Sequence, residues 1–178
     1  PSLVGSEMCI RDRYIISHNE SALNLFEVFY MFKFTGWINP TVDIVPLFET
    51  IDDLNISVSV MQKVYENKLY RNHLKSRNDE QVIMLGFSDG TKDGGYFTAN
   101  WNILKSKEDL IKVSSKFGIK LKFFDGRGGP PARGGGNTHE FYASMGDSIQ
   151  SDDIQLTVQG QTISSNFGTL DSSQYNLE

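Results

Sequence analysis

The sequence predicts an α/β fold, a partial (β/α)8 TIM-type barrel that supplies roughly half of the barrel. Short apolar runs alternate with longer segments of helical periodicity, which is typical of parallel strands joined by crossover helices. Residues suited to chemistry follow successive apolar runs. In a barrel such positions share one face, whereas an open doubly wound sheet spreads them along a row. A complete barrel needs about 250 residues, and this chain has 178.

The apolar runs are predicted to form five strands. Their lengths, four to seven residues, are those of buried strands rather than helices. The predicted strands cover residues 14–17, 42–48, 81–87, 119–124 and 154–158.

The segments between these runs are predicted to be helices, and capping residues set their limits. Asn19 is the candidate N-cap of the first helix, and Gly36 ends it. Asp52 and Asp53 lie in the first turn of the second helix, where carboxylates interact favourably with the helix dipole. Gly118 closes the fourth helix. The predicted helices cover residues 20–34, 51–67, 69–76, 94–117 and 138–144.

Composition restricts the class of protein. The net charge of −5 argues against general nucleic-acid binding, and no apolar run approaches the length of a membrane span. The single cysteine, Cys9, excludes an internal disulfide and a cysteine-based metal site, and it fits a reducing, cytoplasmic setting. Trp37 and Trp101 are expected in the core.

Residues 1–13 are set apart from the fold. They have no clean period and lack the apolar stretch of a signal peptide, and they resemble an adapter-derived translation at the end of an assembled environmental sequence. A disordered native terminus is the alternative. Both interpretations give the same division: a leader over residues 1–13 and an incomplete barrel segment over residues 14–178 that carries part of an active site.

The glycine-rich segment FFDGRGGPPARGGG, residues 123–136, is the strongest functional signal. Glycines let backbone N–H groups approach an anion closely, and Arg127 and Arg133 offer guanidinium groups that suit phosphate or carboxylate oxygens. A solvated linker is disfavoured, because large aromatic residues precede the segment and a predicted helix follows it. The segment has neither the Walker A ending nor the GxGxxG spacing. We therefore predict anion binding.

Two carboxylates follow predicted strands and are candidate metal ligands. Glu49 in VPLFETIDDL follows the second strand, and Asp89 in GFSDGTKDGG follows the third. Carboxylate oxygens suit Mg²⁺ or Mn²⁺, and Mg²⁺ usually takes only one or two of them beside water and substrate oxygens. Capping of the next helix is the alternative for both, and it is favoured for Asp93. Lys92 either faces a substrate anion or is a surface charge.

Four motifs occur in the order found in phosphoenolpyruvate carboxylases: VPLFETIDDL, IMLGFSDGTKDGGYFTANW, FFDGRGGPPARGGG and LTVQGQTISSNFG. The chain resembles this family over residues 14–178. The resemblance implies an internal segment of a longer, mostly helical, homotetrameric enzyme built around a (β/α)8 barrel. Such an enzyme converts phosphoenolpyruvate and bicarbonate to oxaloacetate and phosphate, using Mg²⁺ or Mn²⁺.

The resemblance also assigns roles by motif match. Arg127 would neutralise the phosphate as it passes to bicarbonate, and Arg133 would serve the active site and, in regulated members, an inhibitory dicarboxylate. The assigned residues are Arg127, Arg133 and Lys92 for catalysis, Arg127, Gly128, Gly129 and Asp125 for substrate binding, and Glu49 and Asp89 for the metal.

Two departures from the family pattern matter. Many members carry histidine where this chain has Asp125, and a carboxylate alters the charge offered to bicarbonate. The family's essential histidine, in a TAHPTE-like motif, does not occur in these 178 residues, so we expect the isolated chain to be inactive. The alternatives are another phosphoenolpyruvate-using barrel enzyme, disfavoured by the glycine-arginine segment, and a non-enzymatic anion-binding or regulatory module.

Overall fold

The computed structural model describes residues 12–126, 138–146, 149, 154–157 and 160–177. Its centre is a parallel sheet of five strands in which each strand pairs with the next along the chain. The strands are β1 (Arg13–Ile16), β2 (Asp43–Phe48), β3 (Glu80–Gly86), β4 (Lys120–Gly126) and β5 (Gln155–Leu156).

Helices connect the strands and follow the last of them. They are α1 (Ala22–Phe34), α2 (Ile51–Glu66), α3 (Lys68–Ser76), α4 (Ser88–Lys116), α5 (Thr138–Ala143), α6 (Gly160–Phe167) and α7 (Leu170–Leu177). Among the described residues, no helix is both long enough and apolar enough to cross a membrane.

The strand order follows the chain order from β1 to β5. A doubly wound sheet reverses its order at a switch point, whereas a barrel adds each new strand to the same edge. The described sheet contains no reversal. The prediction of an α/β fold with parallel strands is confirmed, and the strand order is compatible with a barrel segment.

The two faces of the sheet have different surroundings. Phe48 of β2 pairs in register with Leu85 of β3, and both pack with Ile83 and helical residues in one apolar cluster. Val45 and Val82 are buried as well, but they lie outside that cluster. Because successive strand residues point to opposite faces, one face of the sheet packs against the helices and the other carries Val45 and Val82.

The sheet curls toward the face that carries Val45 and Val82. The guanidinium carbon of Arg13 in β1 lies 5.6 Å from the ring centre of Phe124 in β4. These strands are three positions apart, which in a flat sheet corresponds to about 14 Å.

The first strand begins one residue earlier than predicted. β1 starts at Arg13, which the sequence placed in the leader.

Helix α4 begins earlier than the sequence predicted. It starts at Ser88 instead of residue 94, and Gly95, with φ of 79°, interrupts it. Only glycine adopts that conformation readily, so Gly95 separates a short first piece, which the sequence did not predict, from the long second piece, whose predicted start near residue 94 lies at this break. Asp93 lies just before the break, and its predicted capping role stays a prediction. The first helix also differs, since Ser21 and not Asn19 is its N-cap.

The prediction that both tryptophans belong to the core is wrong. Trp37 is 40% exposed and Trp101 is 52% exposed. Trp101 precedes the buried Ile103 by two residues, and residues two apart on a helix point about 200° apart. Trp37 follows the end of α1 and packs against Phe32, with ring centres 5.3 Å apart.

Helices α6 and α7 lie in a part of the chain for which the sequence predicted no helix. Their serine, asparagine and glycine content is unfavourable for helices, and this hid them from the sequence interpretation. The sequence does contain one local signal, a threonine that can cap α7. In the structure Thr169 Oγ1 accepts a hydrogen bond of 3.2 Å from the Ser172 N–H at the start of α7.

His73 allows a test of the core packing through pH. This side chain is 6% exposed and packs against Phe29 and Tyr70, and burial lowers its pKa from 6.5 to about 4. Between those pH values the unfolded chain binds a proton that the native chain does not. Acidification through this window therefore lowers the free energy of unfolding, by on the order of 3 kcal/mol.

The measurement is urea unfolding at pH 7 and pH 4.5, together with an NMR titration of the histidines. His73→Phe should lose the part of the pH dependence that arises from this side chain, whereas His18→Gln, at an exposed position, should keep it. A normal titration of His73 near pH 6.5 would contradict the burial described for it.

Candidate active site

Glu49 is held at the carboxyl end of β2 by the start of α2. Thr50 is the N-cap of that helix, and Asp53 forms the capping box with it. Asp53 Oδ2 accepts hydrogen bonds from the backbone N–H groups of Glu49 and Thr50, at 3.2 Å and 3.1 Å. The first-turn role predicted for Asp53 therefore includes fixing the backbone of Glu49.

Asp89 is positioned by the first turn of α4, directly after β3. Its side chain is 45% exposed, and its Oδ1 lies 2.8 Å from Lys92 Nζ. Lys92 is itself exposed. Its predicted catalytic role stays a prediction, and the contact observed for it is this ion pair.

The carboxyl groups of Glu49 and Asp89 lie close enough to affect each other's pKa. Burial raises the pKa of Glu49, and Asp89 and Asp53 add to this, while a backbone N–H from His18 opposes it. The hydrogen bond from Lys92 holds the pKa of Asp89 below its usual value. Glu49 is therefore the carboxyl group of the pair that binds a proton more readily.

Both carboxylates line a cavity of about 140 Å³ at the carboxyl ends of β2, β3 and β4. Glu49, Asp89 and Gly126 thus meet at one edge of the sheet, as their positions at the strand ends predicted. The lining residues are Leu47, Glu49, Met84, Gly86, Phe87, Ser88, Asp89 and Gly126.

Two glycines at the strand ends leave space for this cavity. A Cβ on Gly86 would lie 3.2 Å from both Cα and Cγ of Glu49, and a Cβ on Gly126 would lie 2.9 Å from the carbonyl oxygen of Leu85. Gly86 and Gly126 are in-register partners on neighbouring strands. Their lack of side chains leaves room for the Glu49 carboxylate and for the chain that leads toward Arg127.

The donor set fits a hard divalent cation. Within the described ranges no group of three or more histidine, cysteine, aspartate or glutamate side chains is arranged to hold a metal. Mg²⁺ commonly binds through one or two carboxylates, with water and substrate completing its coordination. Two carboxylates close enough to affect each other's pKa meet that requirement, because a cation takes the place of a proton.

Asp125 lies on the helix-facing side of the sheet. It is 4% exposed, its Oδ2 lies 3.0 Å from Lys107 Nζ, and the Tyr142 hydroxyl donates a hydrogen bond of 2.7 Å to the same oxygen. The next residue, Gly126, lines the cavity on the other face. The substrate-binding role of Asp125 stays a prediction, and its observed partners are protein side chains.

Four residues assigned from the sequence lie outside the described residues. They are Arg127, Gly128, Gly129 and Arg133. Their roles stay predictions.

Sequence reasoning missed Lys107 and Tyr142. A signal for Lys107 was available, because Ile103, Lys107 and Leu110 recur at the spacing of one helix face, and the first and last of these are core residues. A lysine at that phase requires a buried partner. No comparable pattern in the sequence pointed to Tyr142.

A comparison with protein-family models matches residues 2–178 to the model described as phosphoenolpyruvate carboxylase. The match covers nearly the whole chain, including the motifs that end β2, β3 and β4.

The close approach of Gly86 to Glu49 predicts an effect of a single methyl group. If the two carboxylates hold a cation, Gly86→Ala should displace the Glu49 side chain and weaken Mn²⁺ binding by about 10-fold, the lower end of the effect that neighbours of a metal ligand have on affinity. Electron paramagnetic resonance titration of free Mn²⁺ measures this. Gly160→Ala is the matched control, because a Cβ there meets nothing within 4 Å. Equal affinities in the two variants would refute the role of Gly86.

Proposed function

This chain belongs to the phosphoenolpyruvate carboxylase family, and we propose that it carries part of the active site of a longer enzyme of that activity. The reaction joins phosphoenolpyruvate and bicarbonate to give oxaloacetate and phosphate. The main support for this proposal is that Glu49 and Asp89 line one cavity. Gly126, at the end of β4, lines the same cavity.

We propose that the sheet is part of a (β/α)8 barrel, about half of it. The unreversed strand order supports this, as does the contact of Arg13 with Phe124 across the curled face. In a barrel the carboxyl ends of the strands carry the catalytic residues. Glu49, Asp89 and Gly126 all lie at such ends.

Glu49 and Asp89 would hold Mg²⁺ or Mn²⁺. The bound cation would supply positive charge to substrate oxygens and to the enolate that forms when the phosphoryl group leaves. The protein's own part is to keep the two carboxylates together: Asp53 fixes the backbone of Glu49, and the first turn of α4 presents Asp89. Lys92 neutralises Asp89 before the cation binds.

The glycine-arginine segment would bind the phosphate. Phosphoryl transfer depends chiefly on positioning and on stabilisation of negative charge. Arg127, directly after Gly126, would stabilise the phosphoryl group during its transfer to bicarbonate, with the backbone N–H groups of Gly128 and Gly129 beside it. Arg133 would act from the same segment, and Asp125 would act from the end of β4.

We propose a cytoplasmic homotetramer for the parent enzyme, with neither nucleic acid nor membrane as a partner. The low cysteine content and the acidic net charge support this setting. The 178-residue chain alone should be inactive, because the family's TAHPTE-like motif does not occur in it.

Metal binding is the first test. Glu49→Gln and Asp89→Asn should each weaken Mn²⁺ binding at least about tenfold, because each removes one of two charged ligands. Isothermal titration calorimetry gives the affinities. Asp109→Asn is the control, since it removes an equal charge from the exposed distal part of α4. Unchanged affinity in both site variants would exclude the metal role.

Activity is the second test. A malate dehydrogenase-coupled assay of the isolated chain should show no oxaloacetate, whereas the longer reading frame should incorporate labelled bicarbonate into oxaloacetate. In that longer enzyme Arg127→Gln should lower kcat by about 10²-fold, the loss typical of removing one group that stabilises transition-state charge. Turnover by the isolated chain would disprove the inactivity, and absence of label in the product would disprove the reaction.

A further inference from the structure

The Asp89 carboxylate belongs to a helical piece that is separated from the rest of α4. Gly95 has φ of 79° and ψ of 168°, a combination that is essentially restricted to glycine. It divides α4 into a short piece, residues 88–94, and a long piece, residues 96–116. A metal ligand in the first turn of a helix does not by itself require such a break, so the break needs an explanation.

The long piece is fixed to α2, the helix that follows Glu49. Ser106 Oγ donates a hydrogen bond of 3.1 Å to the carbonyl oxygen of Leu54, and the hydroxyl groups of Tyr65 and Ser114 lie 3.1 Å apart. All four of these residues are buried. The long piece therefore has a fixed position relative to the start of α2, and so relative to Glu49.

The short piece has little that holds it in place from within. Its N-cap residue is Phe87, whose side chain forms no capping hydrogen bond. The ion pair of Lys92 with Asp89 joins two residues of the same piece, so it does not tie that piece to the rest of the fold. A helix of this length is not stable by itself in water. The position of the short piece therefore depends on its two ends and on the surface against which it packs.

That surface is the start of α2. A Cβ on Gly90 would lie 3.4 Å from the carbonyl oxygen of Glu49, and a Cβ on Gly94 would overlap Cδ1 of Ile51. Because residues four apart lie on the same face of a helix, one face of the short piece lies against Glu49 and Ile51. This contact brings the first turn of α4, which carries Asp89, beside Glu49.

We propose that Gly95 is the joint that positions Asp89 opposite Glu49. With an ordinary helical residue at position 95, the short piece would continue along the axis of the long piece and could not follow the start of α2. Gly95 acts through Asp89, so it is a positioning residue and not a catalytic one. This inference rests on the proposed function, because it takes Glu49 and Asp89 as ligands of one divalent cation.

The test compares Gly95→Ala with Gly118→Ala by Mn²⁺ titration and by thermal unfolding. Both glycines have positive φ, 79° and 66°, and at both positions a Cβ meets nothing within 4 Å. Each variant should therefore lose stability through its backbone alone. Because Gly118 follows the far end of α4, only Gly95→Ala should also weaken Mn²⁺ binding, by about tenfold.

Double variants show whether Gly95 acts through Asp89. Asp89→Asn already removes the ligand that Gly95 positions, so adding Gly95→Ala to it should weaken Mn²⁺ binding no further. Added to Glu49→Gln, by contrast, Gly95→Ala should weaken binding again, because Asp89 still serves as a ligand in that variant. Equal additional losses in the two backgrounds would contradict an action through Asp89.

A merely structural role gives a different pattern. In that case Gly95→Ala and Gly118→Ala would both lose stability and keep the Mn²⁺ affinity of the wild type, and that result would overturn the inference. An equal loss of affinity in the two variants would do the same. If Gly95→Ala does not fold, Gly94→Val takes its place, because the added side chain would push the short piece away from Ile51. Unchanged Mn²⁺ affinity in Gly94→Val would then overturn the inference.

The same measurements separate this inference from the proposed function. A wild-type chain that does not bind Mn²⁺ would contradict the proposed metal role of Glu49 and Asp89, and the role of Gly95 would fall with it. A wild-type chain that binds Mn²⁺, and loses affinity in Glu49→Gln and Asp89→Asn but not in Gly95→Ala, would contradict the role of Gly95 alone.

Discussion

The pairing of β3 with its two neighbours is the constraint on which the candidate site depends. Met84 lies in register with Leu47 on one side and with Phe124 on the other, which brings the ends of β2, β3 and β4 to the same level. Gly86 is the last residue of β3, and the Glu49 side chain packs against it. The partner of Gly86 on β4 is Gly126. Side chains at these two positions would occupy the space that the cavity needs.

The two carboxylates of the pair have unequal surroundings. Burial raises the pKa of Glu49, whereas Asp89 is half-exposed and the hydrogen bond from Lys92 holds its pKa below the usual value. A cation bound here would compete with protons for Glu49 and with Lys92 for Asp89. Its affinity would therefore depend on pH, and it would depend more on Glu49 than on Asp89.

The strands and the meeting of Glu49 with Asp89 at one edge of the sheet could be predicted from the sequence, because both depend on local information. A residue directly after an apolar strand must lie at the carboxyl end of the sheet, and Glu49 and Asp89 are such residues. The contact of Lys107 with Asp125 depends instead on the rotation of α4 against β4, which tertiary packing sets. The early start of α4 was missed for a related reason: Gly94-Gly95 indicates a break, but not whether helix lies on one side of it or on both.

The buried pair of Lys107 and Asp125 also changes how the departure at Asp125 should be understood. Taken from the sequence alone, a carboxylate at a position where many family members have histidine implied a more negative site. In the structure the charge of Asp125 is matched by an ammonium group 2.9 Å away, and both side chains are buried. The buried ion pair has no net charge, so Asp125 does not by itself make the end of β4 more negative. The neutrality comes from a lysine of α4, and it therefore depends on how α4 packs against β4.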